Sequence, residues 1–107
     1  MLSKQHRLKG TANFKAIFKD GEKSFSSFFV VYRSPIIQDR PGQIGLIASK
    51  KVGGAVERNR ARRLLSEAIR KMLESSDDKR DRVYVIKSQI LKARFKEICS
   101  EVERLWA

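Results

Sequence analysis

Apolar residues in this chain recur with two different periods, and the switches between them divide it into segments. Phe14, Ile17 and Phe18 stand at i, i+3 and i+4 within the stretch from Ala12 to Lys19. That spacing predicts a short helix, with an N-cap at Gly10-Thr11 and a stop at Asp20-Gly21. Phe14 and Phe18 lie one turn apart and share a face. From Lys23 to Arg33 the chain is rich in Phe, Val and Tyr, which predicts a strand. Alternation puts Phe28, Val30 and Tyr32 on one face and Phe29, Val31 and Arg33 on the other, so both faces are at least partly covered. Ser34-Pro35 ends this strand, Pro41-Gly42 closes a connection, and a second strand runs from Gln43 to Ser49. The simplest pairing of the two is antiparallel.

A longer helix is expected from about Glu57 to Leu73. Its apolar stripe comprises Ala61, Leu64, Leu65, Ala68, Ile69, Met72 and Leu73, centred near Ala68 and Met72. At 100° per residue, Asn59, Arg63 and Arg70 fall opposite the stripe, with Arg60 and Arg62 on its flanks. A charged loop from Glu74 to Asp81 precedes a third strand, Arg82 to Ile86. Ser88 then caps a last helix running to about Trp106, with Ile90 or Leu91, Phe95, Ile98, Val102 and Leu105 inward and Cys99 packing beside them. Helix, strands, helix, strand, helix is the pattern of a single-domain α/β sandwich on a small, mainly antiparallel sheet.

Charge changes what this domain is expected to do. The 107 residues carry 24 Lys and Arg against 12 Asp and Glu, a net charge of +12. A domain this basic attracts polyanions, and a partner carrying many phosphates is the first expectation. Its 41% hydrophobic content separates it from a disordered basic tail. The single cysteine, Cys99, cannot form an internal disulfide, so a reducing, cytoplasmic setting is expected. The start of the chain has basic residues but no apolar core of a signal peptide. No apolar run approaches the ~20 residues that span a bilayer. One Cys and one His cannot make a zinc cluster. His6 reads as a solvated end residue, and Asp77, Asp78 and Asp81 read as loop carboxylates that nothing obliges to hold a metal.

The charge is concentrated. Between Lys50 and Arg63 the cations Lys50, Lys51, Arg58, Arg60, Arg62 and Arg63 face only Glu57. Helix N-termini favour phosphate, while cationic side chains there oppose the macrodipole. Four arginines at a helix start therefore make sense if a polyanion supplies the counter-charge. Arginine also binds phosphate bidentately and stacks on bases. Phe14, Phe18 and the Phe28/Val30/Tyr32 face, beside Lys15 and Lys19, could form a stacking groove for single-stranded nucleic acid, although aromatics at such spacing are more often core.

The string from Lys50 to Leu65, KKVGGAVERNRARRLL, resembles the signature of the bacterial ribonuclease P protein subunit. Arg7-Leu8-Lys9, Phe14, Phe18, Gly21 and Phe29-Val30-Val31-Tyr32 resemble the family's opening and first long strand, so the likeness spans essentially the whole chain. The long central motif is specific; Arg-Asn-Arg alone would not be. The resemblance implies an α+β domain with the order α-β-β-β-α-β-α and a left-handed βαβ crossover, where the general preference is right-handed. It implies a protein cofactor of a ribozyme that removes the 5′ leader of precursor tRNA, an endonuclease in which the RNA subunit hydrolyses the phosphodiester with bound magnesium. The partners implied are that RNA subunit and precursor tRNA, with no membrane and no obligate protein partner. Carried over by position, Arg58, Asn59, Arg60, Arg62 and Arg63 face the RNA subunit. Lys50 and Lys51 lie at the approach and Arg70 on the same side, while Phe14, Phe18 and Tyr32 form the leader-binding cleft. No catalytic residue is expected in the protein itself. Phe28 and Val30 are expected to pack beneath the cleft.

The chain departs from the family pattern in three places. Ala61 fills a slot that is often larger, which loosens packing there. Gly53-Gly54 doubles a glycine, which adds flexibility to the link. The chain stops at Trp106-Ala107 without the basic tail of many members. Two other classes stay open on the residues alone: a generic RNA-binding or ribosome-associated protein, and a nuclease acting through Asp77, Asp78 and Asp81.

Overall fold

The computed structural model of the chain describes residues 7, 8, 10–39, 42–75 and 79–106. The elements follow one another as α1 (Thr11–Asp20), β1 (Glu22–Phe25), β2 (Phe29–Ile37), β3 (Ile44–Ile47), α2 (Ala55–Ser75), β4 (Arg80–Ile86), a 3-10 turn (Ser88–Lys92) and α3 (Phe95–Arg104). This is a mixed α+β domain with the order expected from the resemblance. The four strands form one sheet in the order β1-β2-β4-β3. β1 pairs antiparallel with β2, β2 antiparallel with β4, and β3 parallel with β4.

That sheet corrects the local strand reading. The segment from Lys23 to Arg33 is a hairpin rather than one strand: the chain reverses at Ser26–Phe28, and Ser26 N–H donates to the Phe29 carbonyl at 2.9 Å. The expected antiparallel partner of the Gln43–Ser49 strand is also displaced. β4 inserts between β2 and β3, and α2 carries the chain across so that β3 and β4 run parallel. Alternation of apolar residues sees one strand at a time and does not choose neighbours. β2 continues through Pro35 to Ile37, past the expected end, because the ladder with β4 shifts register between Arg33 and Ile37. A proline is tolerated at such an irregularity.

Register divides the sheet into two faces. Phe29, Val31 and Arg33 of β2 align with Ile86, Tyr84 and Arg82 of β4, and Ile44 and Leu46 of β3 continue those rows. This face carries α2, the 3-10 turn and α3. Phe29, Val31, Tyr84, Ile86, Ala61, Leu65, Ala68, Ile69, Ile90, Ile98 and Val102 form its core. Each fully buried Leu or Ile there is worth ~1.5–3 kcal/mol relative to exposure. α2 runs beyond its expected ends, and its most buried line passes through Ala61, Leu65, Ala68 and Ile69, with Met72 only half-buried. Ala61 is fully buried in that line. The opposite face packs under α1, where Leu8, Ile17 and Val83 form a smaller cluster with Phe14, Tyr32 and Ile47.

The last helix is broken rather than continuous from Ser88. A 3-10 turn ends at Lys92, and α3 restarts after Arg94, whose N–H donates to Glu97 Oε1 at 2.9 Å. The restart turns Phe95 outward, where 36% of its surface is exposed, and brings Trp106 into the core. Phe28 packs against the α2/α3 core instead of beneath the α1 face, because it belongs to the hairpin turn and lies outside the β2 alternation. Asp81 is not a loop residue: it is buried in β4, and its Oδ1 accepts the Gln43 N–H at 2.9 Å. His6, Asp77 and Asp78 lie outside the described residues.

Two arginines are buried side by side. Arg33 and Arg82 are cross-strand partners, and Arg82 is fully buried. Arg82 Nη2 donates to the Trp106 carbonyl at 2.6 Å, and its guanidinium lies 4.0 Å from the Trp106 ring centre. Arg33 Nη1 donates to the Leu105 carbonyl at 2.8 Å and Nη2 to Ser24 Oγ at 3.0 Å. Together they fasten the end of α3 to the centre of the sheet. Alternation already set Arg33 on the face of Phe29 and Val31, whereas nothing in the hydropathy pattern marks Arg82 as interior.

Candidate nucleic-acid interface

The basic link is built to deliver α2 at a set angle. Val52 is buried and its N–H donates to the Ser49 carbonyl at 3.0 Å, which leaves Lys50 and Lys51 exposed on the turn between them. Gly53 adopts φ 148, a conformation that favours glycine, and a Cβ there would lie 2.8 Å from Glu57 Cβ. The doubled glycine is thus part of the turn into the helix: Gly54 supplies the carbonyl that accepts Arg58 N–H at 2.9 Å.

Along the first turns of α2 the inward residues are small or aliphatic, and the remaining positions are mostly cationic, with Val56, Glu57 and Asn59 also exposed. Arg60, Arg63 and Asn59 are exposed; Arg58 and Arg62 are half-buried. Arg58 Nε reaches the Gly54 carbonyl at 3.4 Å and Arg62 Nη1 donates to Asn59 Oδ1 at 3.1 Å, so both are oriented along the helix. The guanidiniums of Arg60 and Arg63 make no hydrogen bond or ion pair with a described residue. Arg70 differs: Nη2 is 2.8 Å from Glu67 Oε2, and this local pair offsets its charge. The result is an exposed cationic face at the positive end of a helix, suited to closely spaced phosphates.

The aromatic residues assemble on the other side of the sheet. Tyr32, Val83 and Gly45 lie in one cross-strand row, with Lys23 of β1 at its end. α1 lies along this row: the Phe18 and Tyr32 rings meet edge-to-face at 4.8 Å, and Phe14 sits over Gly45. A Cβ on Gly45 would come within 2.5 Å of Phe14 Cε1, so the glycine is what lets that ring lie down on β3. The next row is Phe25, Val30, Val85 and Ile47, and none of its four residues is fully buried. It forms an open apolar floor beside α1. Phe18 is 38% exposed at its wall, and the wheel puts Lys15 and Lys19 roughly 60–100° from it on the same flank.

Where α1 and α2 approach across the β3 edge they share a cavity of about 220 Å³, lined by Phe14, Leu8, Gly45 and Leu46 and by Arg7, Arg62 and Ser66. Leu8 N–H donates to the Ile44 carbonyl at 2.9 Å, which holds the N-terminal segment along that edge. The structure therefore brings Phe18 and Tyr32 into direct contact and places Phe14 with Arg62 around one cavity. Lys50, Lys51, Arg60 and Arg63 stand on a separate, exposed surface. Sequence reasoning missed Lys23, Phe25, Val85 and Ile47. The hairpin and the β3–β4 register put them in the row beside α1, and only β1's short alternation, Lys23 and Phe25 at i and i+2, hinted at it. Among the described residues, no three His, Cys, Asp or Glu side chains come together to hold a metal ion.

A family model described as Ribonuclease P matches residues 2–107. The chain is 32% identical to the ribonuclease P protein component of Bacillus cereus strain G9842 over 97 residues, covering 91% of this chain and 84% of the relative. It is 35% identical to the ribonuclease P protein component of Acidothermus cellulolyticus over 106 residues, covering 98% of this chain and 88% of the relative. Among solved structures, the Staphylococcus aureus RNase P protein superposes with a TM-score of 0.79 at 27% identity, covering 96% of this chain and 94% of the other. The Thermotoga maritima RNase P protein, at 22% identity, shares the fold with a TM-score of 0.79 over 92% of this chain and 93% of the other.

Proposed function

The chain belongs to the ribonuclease P protein family, and on that premise we propose that it binds a catalytic RNA subunit and the 5′ leader of precursor tRNA, assisting endonucleolytic removal of the leader. Hydrolysis and its magnesium ions belong to the RNA in this reading; the protein contributes charge and a groove, in the cytoplasm. The observation that carries it is the coexistence of two unlike surfaces on one small domain. One is the cationic face of exposed Lys50, Lys51, Asn59, Arg60 and Arg63 with half-buried Arg58 and Arg62, suited to folded RNA backbone; Arg70 is its weakest member because Glu67 already pairs with it. The other is the Phe18/Tyr32 wall beside an open apolar floor, with Phe14 at its far end, suited to unpaired bases.

In this mechanism the RNA subunit closes on the α2 start and offsets the charge that opposes the helix dipole there. The leader then leaves the cleavage site across the α1 face, where bases stack against Phe18 and Tyr32 and phosphates meet Lys15 and Lys19. Binding energy from the leader raises substrate affinity without protein acid–base chemistry.

The protein and its cognate RNA subunit together should cut precursor tRNA at low magnesium, with neither efficient alone. Robust cutting by the protein alone would overturn the reading, and RNA binding without stimulation would point to a generic RNA-binding role. Phe18→Ala should weaken holoenzyme binding of leader-bearing substrate by ~1–3 kcal/mol more than binding of mature tRNA. Equal losses on both would return Phe18 to a packing role.

A further inference from the structure

The sheet floor does not stop at Tyr32. β1 is the edge strand on the Tyr32 side, and its alternation turns Lys23 and Phe25 onto the same face as their partners Tyr32 and Val30. Phe25 is 61% exposed, more than Phe18. Lys23 Nζ bridges the two rings, 5.2 Å from the centre of Phe25 and 5.4 Å from that of Tyr32. A large exposed ring on an edge strand is a liability for solubility and invites misassociation. This one is also held still. The turn that follows it is fastened to α3 and to the end of β4: Ser26 Oγ donates to Glu101 Oε1 at 3.0 Å and Arg104 Nη2 reaches the Phe25 carbonyl at 3.4 Å, while Lys87 Nζ, just past β4, donates to the Ser26 carbonyl at 2.9 Å. Arg104 grips Glu101 at 2.7 Å, and this hydrogen bond, with a further one from Ser26, keeps the Glu101 carboxyl below its ordinary range against the effect of burial. A ring whose backbone is already ordered loses little freedom when a base stacks on it.

We infer that Phe25 and Lys23 extend the stacking floor to the outer edge of β1 and hold one further nucleotide of the single-stranded leader, beyond the one that Phe18 and Tyr32 contact. Phe25 offers the π-face, and Lys23, standing between the rings, meets the phosphate that joins the two nucleotides. Phe25 and Tyr32 are diagonal neighbours across the β1–β2 ladder, a separation of roughly 7–8 Å that a neighbouring nucleotide in an unstacked strand can span. The occupant is RNA rather than an apolar partner because the charge that stands over both rings is the cation of Lys23, with Lys15 and Lys19 on the wall, while the nearby Glu101 carboxylate is taken up by Arg104 and Ser26. Phe95 supplies the contrast. Lys71 Nζ stands 5.0 Å from its ring, but that pair lies on the α2/α3 side, away from the floor.

The inference rests on the leader-binding reading, and the test separates the two. Precursor tRNAs with leaders lengthened one nucleotide at a time are titrated with the holoenzyme assembled from the protein and its cognate RNA subunit. Wild-type affinity should rise with each leader nucleotide until the floor is filled. Phe25→Ala should match wild type on short leaders and lose about tenfold on leaders long enough to reach β1. Phe25→Tyr should restore the gain, Lys23→Met should lose part of it and flatten its salt dependence, and Phe95→Ala should follow wild type throughout. Exposure of Phe25 means the variant should keep the wild-type unfolding midpoint. If Phe25→Ala equals wild type at every length while Phe18→Ala still loses, the extension is wrong and the leader-binding reading stands. If neither variant depends on the leader, both are wrong. If Phe25→Ala instead converts a self-associated protein to monomer with an unchanged leader profile, the face is a contact between copies, and the extension is again overturned.

Discussion

Arg82→Ala is expected to lower the unfolding free energy by about 3–5 kcal/mol, a large share of the 5–15 kcal/mol typical of a domain. Three losses coincide at that site. The Trp106 carbonyl loses the donor that now sits 2.6 Å away, the Trp106 ring loses the guanidinium stacked 4.0 Å from its centre, and a fully buried long side chain leaves a cavity between the sheet and the end of α3. Arg82→Met keeps most of the volume and should recover part of the loss. Urea unfolding followed by circular dichroism would read both variants: the midpoint should fall with an unchanged slope. A loss below about 1 kcal/mol for Arg82→Ala would mean that the arginine pair is not what holds the end of α3 to the sheet.

The second large effect concerns assembly. Arg60→Ala combined with Arg63→Ala should weaken binding of the RNA subunit by about 10–100-fold at moderate salt and reduce the slope of log K against log salt by roughly two, one phosphate contact for each arginine. These two are chosen because both guanidiniums are exposed and neither has a described protein partner, so their removal leaves the fold intact. Arg70→Ala should do much less, since Glu67 already offsets it. Filter binding over a salt series checks the pair. An unchanged slope would take α2 out of the RNA contact.

The basic face was legible in the chain because it is local. Arg58 to Arg63 lie within two turns of one helix, and the 3.6-residue period alone sorts Arg63 and Asn59 outward from Ala61 and Leu65 inward. The stripe of α2 and the helical pattern of α1 were legible for the same reason. The pairing of Phe18 with Tyr32 was legible only through resemblance to a family, since aromatic residues at such spacing are more often core. The structure places them 4.8 Å apart, at the boundary between a small core and open solvent.

Where expectation failed, a long-range partner decided. Lys23 to Arg33 satisfies the alternation of one strand, yet the hydrogen bonds of Ser26, Phe28 and Glu101 make a turn within it. Phe95 fits the inward stripe of an unbroken helix; the break at Ala93-Arg94 rotates it away. Asp81 read as a loop carboxylate, and alternation set Arg33 beside Phe29 and Val31 without giving its cation a partner; Asp81, Arg33 and Arg82 are each buried where a backbone group from elsewhere in the chain meets them: Gln43 N–H, the Leu105 carbonyl and the Trp106 carbonyl.

Local pattern in the chain was enough to set the helices α1 and α2, their apolar faces, the gathering of charge at the start of α2 and, through the motif, the family. Those properties depend on neighbours within a few residues, where chain geometry is nearly independent of the rest of the fold. Long-range packing set the entry of β4 between β2 and β3, the burial of two arginines, and the continuation of the Tyr32 floor by Phe25 and Lys23. Those properties depend on pairing between segments far apart in the chain. Pairing is selected by total burial and by the satisfaction of every backbone group, and no single segment carries that information.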